Sequence, residues 1–537
     1  MHYIRPVCGV ALGVFLLAAP AAGQSPAPRD GKPGGVLRLV LREDLPQGFA
    51  IHETATNSVT WPAMPCYSNL VIFDQTKPIG RTETIVPELA ERWSWQDSYR
   101  NLVFFIRKDA RWHDGQPVTS KDVKFTFDLV REARDAPARL RLNPRKEWYA
   151  NVEAIEAPDP YTVVFRLKRP QPSILAMLAS GYSPVLPAHV ALAEHRSRCV
   201  GSGPFKFKEW KRGQSVELVK NPDYFVKGRP YLDGVRYVIV VERGTRVAAL
   251  QTGQVDAAYP GDTTVAIAEQ LRASVPKMVF TETATNVSEN LLLNTKRPPF
   301  DNVKVRRALS LAIDRPAYVK AVHSGSAIVG AAMAPKPWGA WGLLQKDTVL
   351  LPGYGKGEEG KAQARKLLAE AGFGPANPLK FEMSTRAIAI YVDFASFVVS
   401  EFKQIGVDAA LKQVDTAQWH PLATRREFQM AANLTGLGVD DPDANFYENY
   451  ACGSSRNYGD YCDEQVMRLI DQQSQETDTQ KRVVLVWQIQ KKLEEDAARP
   501  TMGWRVDRFP HYPYVKNLIL NQVTYNCCRF QDVWLDK

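Results

Sequence analysis

Leu70–Asp74 reads LVIFD, and Ile85–Val130 reads IVPELAERWSWQDSYRNLVFFIRKDARWHDGQPVTSKDVKFTFDLV. The order is a strand, a Pro-Glu-Leu-Ala turn of helix, an alternating apolar strand, a Trp112-His113-Asp114-Gly115 turn and a capped helix. His113 and Asp114 invite a catalytic reading. Asp-Gly, however, supplies the φ > 0 step that a tight turn needs after the strand around Phe104–Arg107. Thr119 followed three residues later by Asp122 is a capping-box-like helix start, which predicts a helix from about Asp122 to Arg134. No nucleophile or second base lies nearby, as nucleophilic catalysis requires.

Outward from this stretch the chain alternates strands and helices. Gly35–Leu41 is an alternating strand; Asn57–Asp74 reads as a helix and then a strand. Tyr161–Leu167 is a further strand, and a helix beginning near Pro172 ends at Ser180-Gly181. Val200-Gly201-Ser202-Gly203-Pro204-Phe205 is a glycine-proline turn; Ser202 lacks the G-x-S-x-G spacing of a nucleophile elbow. Asn221-Pro222-Asp223-Tyr224 is a second turn, and Arg246–Ala258 reads as a helix running into a strand. Val303–Ile313 carries a stripe of Val305, Ala308, Leu309 and Ala312 at helical spacing, ended by Asp314-Arg315-Pro316. Strand Leu379–Met383, helix Ile390–Gln404 and strand Val407–Val414 form a βαβ unit. Gln480–Asp496 is a long amphipathic helix. Pro513–Leu520 and Phe530–Leu535 read as returning strands.

The four blocks WHDG, GSGPF, NPDY and AIDR, in this order, resemble the family 5 extracellular solute-binding proteins, the peptide- and nickel-type receptors of bacterial ABC importers. The likeness runs from about Gly35 to Lys537. It implies an α/β, two-lobed periplasmic binding protein of type II-like form, with an extra subdomain inserted in the first lobe and ligand in the interlobe cleft. The implied limits are a signal peptide over 1–23, first-lobe segments at 35–76 and 186–288, the inserted subdomain at 77–185, the second lobe at 289–508 and a return to the first lobe at 509–537. The implied function is capture of a small organic solute, an oligopeptide or a peptide-like or acidic compound, and its delivery to ABC permease and ATPase subunits at the inner membrane. Such a receptor is a monomer, not an enzyme, and uses no cofactor. A nickel-chelate receptor and a secreted hydrolase of the two-carboxylate type are the competing readings. Scattered carboxylates without an acid/base constellation argue against the hydrolase.

Two recognition positions carry over from the dipeptide receptors. An Arg after the first strand of the second lobe pairs with the ligand carboxylate there, and Arg386 occupies that position; a planar guanidinium suits bidentate carboxylate capture. An Asp that pairs with the peptide α-ammonium precedes an Asp-Pro-Asp; aligned on Asp441-Pro442-Asp443, this chain has Gly438 there, and the neighbouring Trp is lost too. That departure argues against dipeptide specificity. Asp440 is the nearest carboxylate that could substitute. Trp61, Trp419, Tyr447 and Trp504, with Tyr67, fall in segments that flank the family cleft and are the aromatic ligand candidates. Asp440, Asp441 and Asp443 do not make a calcium loop, since Pro442 interrupts them; a turn with a helix cap at Asp443 is expected. His420 beside Trp419 is a lone histidine, and no metal site is expected.

Composition fits an exported soluble protein. The chain has 537 residues, 45% of them hydrophobic and 23% charged, enough for a sizeable core in two or more domains. Arg5, an apolar run over Val10–Ala19 and small residues at Ala19–Gly23 make a secretory signal peptide. Cys8 precedes the apolar run, so no lipoprotein anchor is expected. The formal charge is +10; removal of Arg5 leaves 67 basic against 58 acidic residues, or +9. The basic residues are scattered, so nucleic acid is not an expected partner. Seven cysteines become six on export, where disulfides persist. Cys452 and Cys462 close the polar loop GSSRNYGDY and are the best local pair, and the dipeptide receptors carry a bridge in the corresponding loop. The pairing of Cys66, Cys199, Cys527 and Cys528 stays open.

Overall fold

A computed structural model describes residues 31–354, 357–526 and 528–537. The signal peptide and Cys527 lie outside the described residues. Alternating strand Val36–Leu41 pairs in parallel with Gly234–Ile239, and Ser215–Lys220 and Phe205–Lys211 complete a four-stranded sheet. This sheet buries Leu37, Leu39 and Leu41 with Trp61, Tyr237 and Phe509. It is the core of the first lobe.

The opening stretch builds a separate antiparallel sheet, in the order Ala90–Gln96, Asn101–Ile106, Thr162–Leu167, Val152–Asp159. Helix Ser120–Val130 covers it with Val123, Phe127 and Val130. Thr119 and Asp122 form the expected capping box. The helix stops four residues short of Arg134, because Arg131 is its C-cap and Glu132 turns to φ 56°. Gly115 adopts φ 91° in the Trp-His-Asp-Gly turn. His113 hydrogen-bonds there to the Gly203 carbonyl and Asp114 to His189, so both serve structure. Gly201 and Gly203 press onto Cys66: a Cβ at Gly201 would lie 2.0 Å from the Cys66 carbonyl oxygen. Cys66 is disulfide-bonded to Cys199 beside this contact.

The second lobe is a six-stranded mixed sheet, ordered Ala327–Ile328, Thr501–His511, Val279–Leu293, Met430–Gly436, Lys380–Arg386, Asp408–Val414. The predicted βαβ unit is present, with Lys380–Arg386 parallel to Asp408–Val414 and helix Ala389–Gln404 between them. The stripe Val305, Ala308, Leu309 and Ala312 is buried against it. Two long strands join the lobes. Val279–Leu293 and Thr501–His511 run antiparallel from Val279↔His511 to Asn290↔Thr501, with the register broken between Ala284 and Ser288. His511 bridges to Ala257, which bridges to Leu39 of the first sheet. The expected strand over Pro513–Leu520 is corrected here: only Val515–Lys516 pairs, with Trp534–Leu535. The crossing strand is Thr501–His511, which carries no alternation because nearly every residue in it is buried. The expected cap at Asp443 is also corrected. Asp441 caps helix Pro442–Asn449 by accepting from the Asp443 N–H.

Candidate functional site

The cleft lies where both lobes and the crossing strands converge. From the first lobe come Arg42, Thr56 and Asn57, and the Tyr259-Pro260-Gly261 turn. From the second come Arg386, at the carboxyl end of its strand, then Tyr391 and His420 at the next two helices, and Arg456 and Tyr458. Ligands of open α/β sheets bind at such strand ends. The crossing strands supply Val287, Arg505 and Asp507. The space between these side chains is narrow and partly open to solvent.

Arg386 lines this cavity, as its position at the strand end predicts, but its donors are already engaged. Nη2 donates to Glu43 Oε1 at 2.9 Å and Nη1 to the Tyr391 hydroxyl at 2.9 Å. Nε and Nη2 donate to Thr416 Oγ1 at 3.1 and 2.7 Å. Glu43 follows strand Val36–Leu41 of the four-stranded sheet and Arg386 ends strand Lys380–Arg386 of the six-stranded sheet, so this ion pair joins the two sheets across the cleft. Burial pushes the Glu43 carboxyl up, but Arg386 and then Arg42 outweigh it and hold the pKa at about 2. Arg505 is likewise compensated, by Asp507 at 2.7 Å and Glu289 at 3.3 Å.

The other two guanidiniums are less satisfied. Arg42 lies 4.8 Å over the Tyr259 ring, and its Nε has no hydrogen-bond partner. Arg456 is 6% exposed. Its Nε stands 2.8 Å from Glu448 Oε1 without hydrogen-bond geometry, and Nη1 has no partner. Glu448 also serves Arg145, at 3.0 Å. Nearby Arg499 donates only to Asn290, Asn449 and Thr435; burial, with Arg456 adding repulsion, lowers its pKa to about 10. Arg145 and Arg456 thus share one carboxylate, Glu448. His420 is buried and its Nε2 is unpartnered. Burial, with Arg386 and Arg456 adding repulsion, lowers its pKa to about 3, so the ring is neutral.

The remaining expected residues lie elsewhere. Trp61 packs edge-on against Tyr237 and Tyr259. Trp419 sits in an apolar cluster with Leu292, Phe428 and Tyr458. Trp504 donates from Nε1 to the Ala331 carbonyl, and Tyr67 hydrogen-bonds His195. Tyr447 hydrogen-bonds Asp471 and Arg169. None of these five is among the residues lining the cavity. Asp440 is also outside it. Its Oδ2 accepts from the Ala340 N–H at 3.1 Å, and Arg81 stands 3.9 Å away. Burial raises its pKa to about 6 against those two groups. At Gly438 a Cβ would lie 2.3 Å from Trp148 Cη2 and 3.2 Å from Tyr182 Cδ2. Arg145 stacks 3.7 Å from the Tyr182 ring centre. Aromatic rings and an internal cation therefore fill the neighbourhood in which the resemblance places an ammonium-binding carboxylate.

Sequence reasoning singled out Arg386 but missed Arg42, Glu43, Arg456 and Arg505. Arg456 and Tyr458 reach the cavity from the loop closed by Cys452–Cys462, which are disulfide-bonded as expected. The bridge was a signal for that loop; nothing in its polar sequence marked Arg456.

A two-lobed α/β chain with a charged cavity between the lobes has the form of a solute-binding protein. The family model of the bacterial extracellular solute-binding proteins, family 5, matches residues 84–457, and the chain belongs to this family. It is 29% identical over 444 residues to a putative ABC transporter peptide-binding protein of Brucella ovis, covering 77% of this chain and 74% of that one. Among solved structures it resembles the periplasmic binding protein DppA of Helicobacter pylori in complex with the peptide STSA, at 24% identity and TM-score 0.83 over 94% of this chain and 99% of that one. It also resembles the binding protein AgaA of A. tumefaciens R10 in complex with agropinic acid, at 25% identity and TM-score 0.81 over 94% and 99%. Among the described residues no helix is long and apolar enough to cross a membrane.

Proposed function

We propose that this protein is the exported receptor of an ABC importer and that it captures an anionic organic solute between its lobes. One observation carries the choice of ligand charge: four arginines, Arg42, Arg386, Arg456 and Arg505, line the cavity against one lining carboxylate, Asp507. A carboxylate or phosphate suits such a positive wall, since guanidiniums bind both through charge-assisted hydrogen bonds. The filled space at Gly438 disfavours a free α-ammonium. The agropinic acid held by AgaA is consistent with this reading. The lobe limits read from the sequence place Glu43 and Arg386 on opposite sides, so that solute capture and lobe closure act together.

The protein binds and releases its solute unchanged, acts as a monomer, and reaches the periplasm by cleavage of its leader, without a lipid anchor. Native mass spectrometry of the protein isolated from a periplasmic extract tests the proposal. One equivalent of an intact acidic solute is expected. Retention of ordinary dipeptides in preference to acids, or turnover of the retained compound, would contradict it. N-terminal sequencing of the exported protein should start between Ala22 and Ser25; an intact Met1 would refute the leader.

A further inference from the structure

The four arginines of the cavity are not equivalent. Arg386 spends its donors on Glu43, Tyr391 and Thr416. Arg505 is paired with Asp507 and Glu289, and also donates to the Gly261 carbonyl. Arg456 stands against Glu448, and its Nε and Nη1 are sealed inside the wall. Arg42 differs from all three. Among the described residues it has no carboxylate at ion-pair distance and donates no hydrogen bond. Its side chain is half-buried and lines the cavity, and of its three guanidinium nitrogens only Nε is closed off. Both terminal nitrogens are therefore open to a ligand.

The fold holds this guanidinium in place without using its donors. Arg42 directly follows strand Val36–Leu41, and its head lies 4.8 Å over the Tyr259 ring. Tyr259 in turn packs edge-on against Trp61, with ring centres 4.9 Å apart, and both rings belong to the first-lobe core. A ring face attracts the cation electrostatically and leaves its N–H groups for a ligand. The two acids that act on Arg42 are committed elsewhere: Glu43 to Arg386 at 2.9 Å and Asp262 to Arg246 at 2.6 Å. The surplus positive charge with free donors thus rests on Arg42. Asn57, on the same wall, accepts from Thr60 Oγ1 at 3.1 Å through its Oδ1. That bond fixes the amide and leaves Nδ2 as a spare donor.

We propose that Arg42, with Asn57 as a second donor, receives the oxyanion of the solute, so that the acid is anchored to the first lobe while Arg386 serves closure. The inference rests on the reading of the cleft as a site for an anionic solute and adds the residue that sets this selectivity. It reverses the assignment carried over from the dipeptide receptors, in which the second-lobe Arg takes the carboxylate. Arg456 adds its charge from behind the wall, since it shares Glu448 with Arg145. Ile390, Leu434 and Tyr458 line the second-lobe side and suit an uncharged body. The solute is then a compact acid with its charge at one end.

The test is calorimetry on the full exported chain with acids and their neutral amides: glucuronate and glucuronamide, pyroglutamate and pyroglutamide, N-acetylalanine and N-acetylalaninamide. At least one acid should bind about tenfold or more tightly than its amide. Arg42→Gln should bring that ratio down to about twofold or less. Arg42→Lys keeps the charge but not the planar fork, and should retain part of the ratio. Asn57→Ala should lower the ratio by roughly threefold. Glu43→Gln/Arg386→Gln removes the ion pair between the sheets without changing the net charge of the wall, and should keep the ratio. Circular dichroism checks that each variant is folded. A ratio unchanged in Arg42→Gln or Asn57→Ala, or lost in the double variant, overturns the inference and leaves the acidic solute standing. No preference for any acid over its amide overturns the reading of an anionic solute and the inference with it.

Discussion

Replacing Arg386 by Gln removes the positive half of the ion pair that spans the cleft. In the native protein Glu43 is 15% exposed at its side chain and its pKa is about 2. The unfolded value is about 4.3, and each pKa unit is worth about 1.36 kcal/mol, so the folded environment favours the carboxylate by about 3 kcal/mol. Breaking a buried pair on one side costs about 3–5 kcal/mol, in line with that figure. Separation of the lobes would hydrate Glu43 and relieve the cost, so the loss falls on the closed arrangement. A loss of about 3 kcal/mol shifts the ratio of closed to open protein by roughly a hundredfold. Small-angle scattering without solute should show Arg386→Gln more extended than the native protein, and Glu43→Gln/Arg386→Gln compact again. The depressed pKa of Glu43 fixes the sign with pH. The stabilisation is present above about pH 4.3 and fades as the pH falls toward 2 in the native protein, but not in the double variant. An unchanged radius for Arg386→Gln, or a double variant as extended as the single one, would refute the reasoning.

Other outcomes follow from buried groups near the lobe contact. Asp440 has its pKa raised to about 6, so the native state loses stability as the pH rises from about 4 to 6; Asp440→Asn should abolish that fall and gain about 3 kcal/mol at pH 7, read by urea unfolding at a series of pH values, and a native-like slope would count against it. Gly438→Asp drives a side chain into Trp148; it should cost about 1–3 kcal/mol as overpacking and add no affinity for dipeptides, and a stable variant with new dipeptide binding would show the space to be open. Removing both Cys452 and Cys462 as serines should cost about 2–3 kcal/mol for the loop they close and weaken solute binding through Arg456; peptide mapping without reductant should recover the linked pair from the native protein, and two free thiols would refute it.

Local pattern made much of the fold legible. The helical stripe at Val305, Ala308, Leu309 and Ala312, the Thr119–Asp122 cap and the Gly115 turn all depend on neighbours in sequence. The two crossing strands were hidden for a physical reason. Thr501–His511 is buried on both faces, yet carries Arg505, Asp507 and Arg508, whose charges are met by Glu289 and Glu282 across the fold and by the Arg505–Asp507 pair within the strand. Val279–Leu293 is rich in Thr, Asn and Glu, which mutes a period of two. The cleft was legible at Arg386, where a strand end marks the site. Its partner Glu43 lies 343 residues away, and Arg456 sits in a polar loop that reads as solvent-exposed until the disulfide and Glu448 draw it inward. Tryptophan proved a poor guide, because Trp61, Trp419 and Trp504 satisfy the demand for buried area in the core before any ligand is present.

The most direct test of the central claim compares solutes retained from a periplasmic extract by the native protein and by Arg456→Gln, using native mass spectrometry on the folded chains. The account predicts one acidic solute on the native protein and its loss from the variant. An uncharged or ammonium-bearing solute on both proteins, held equally well, would contradict it.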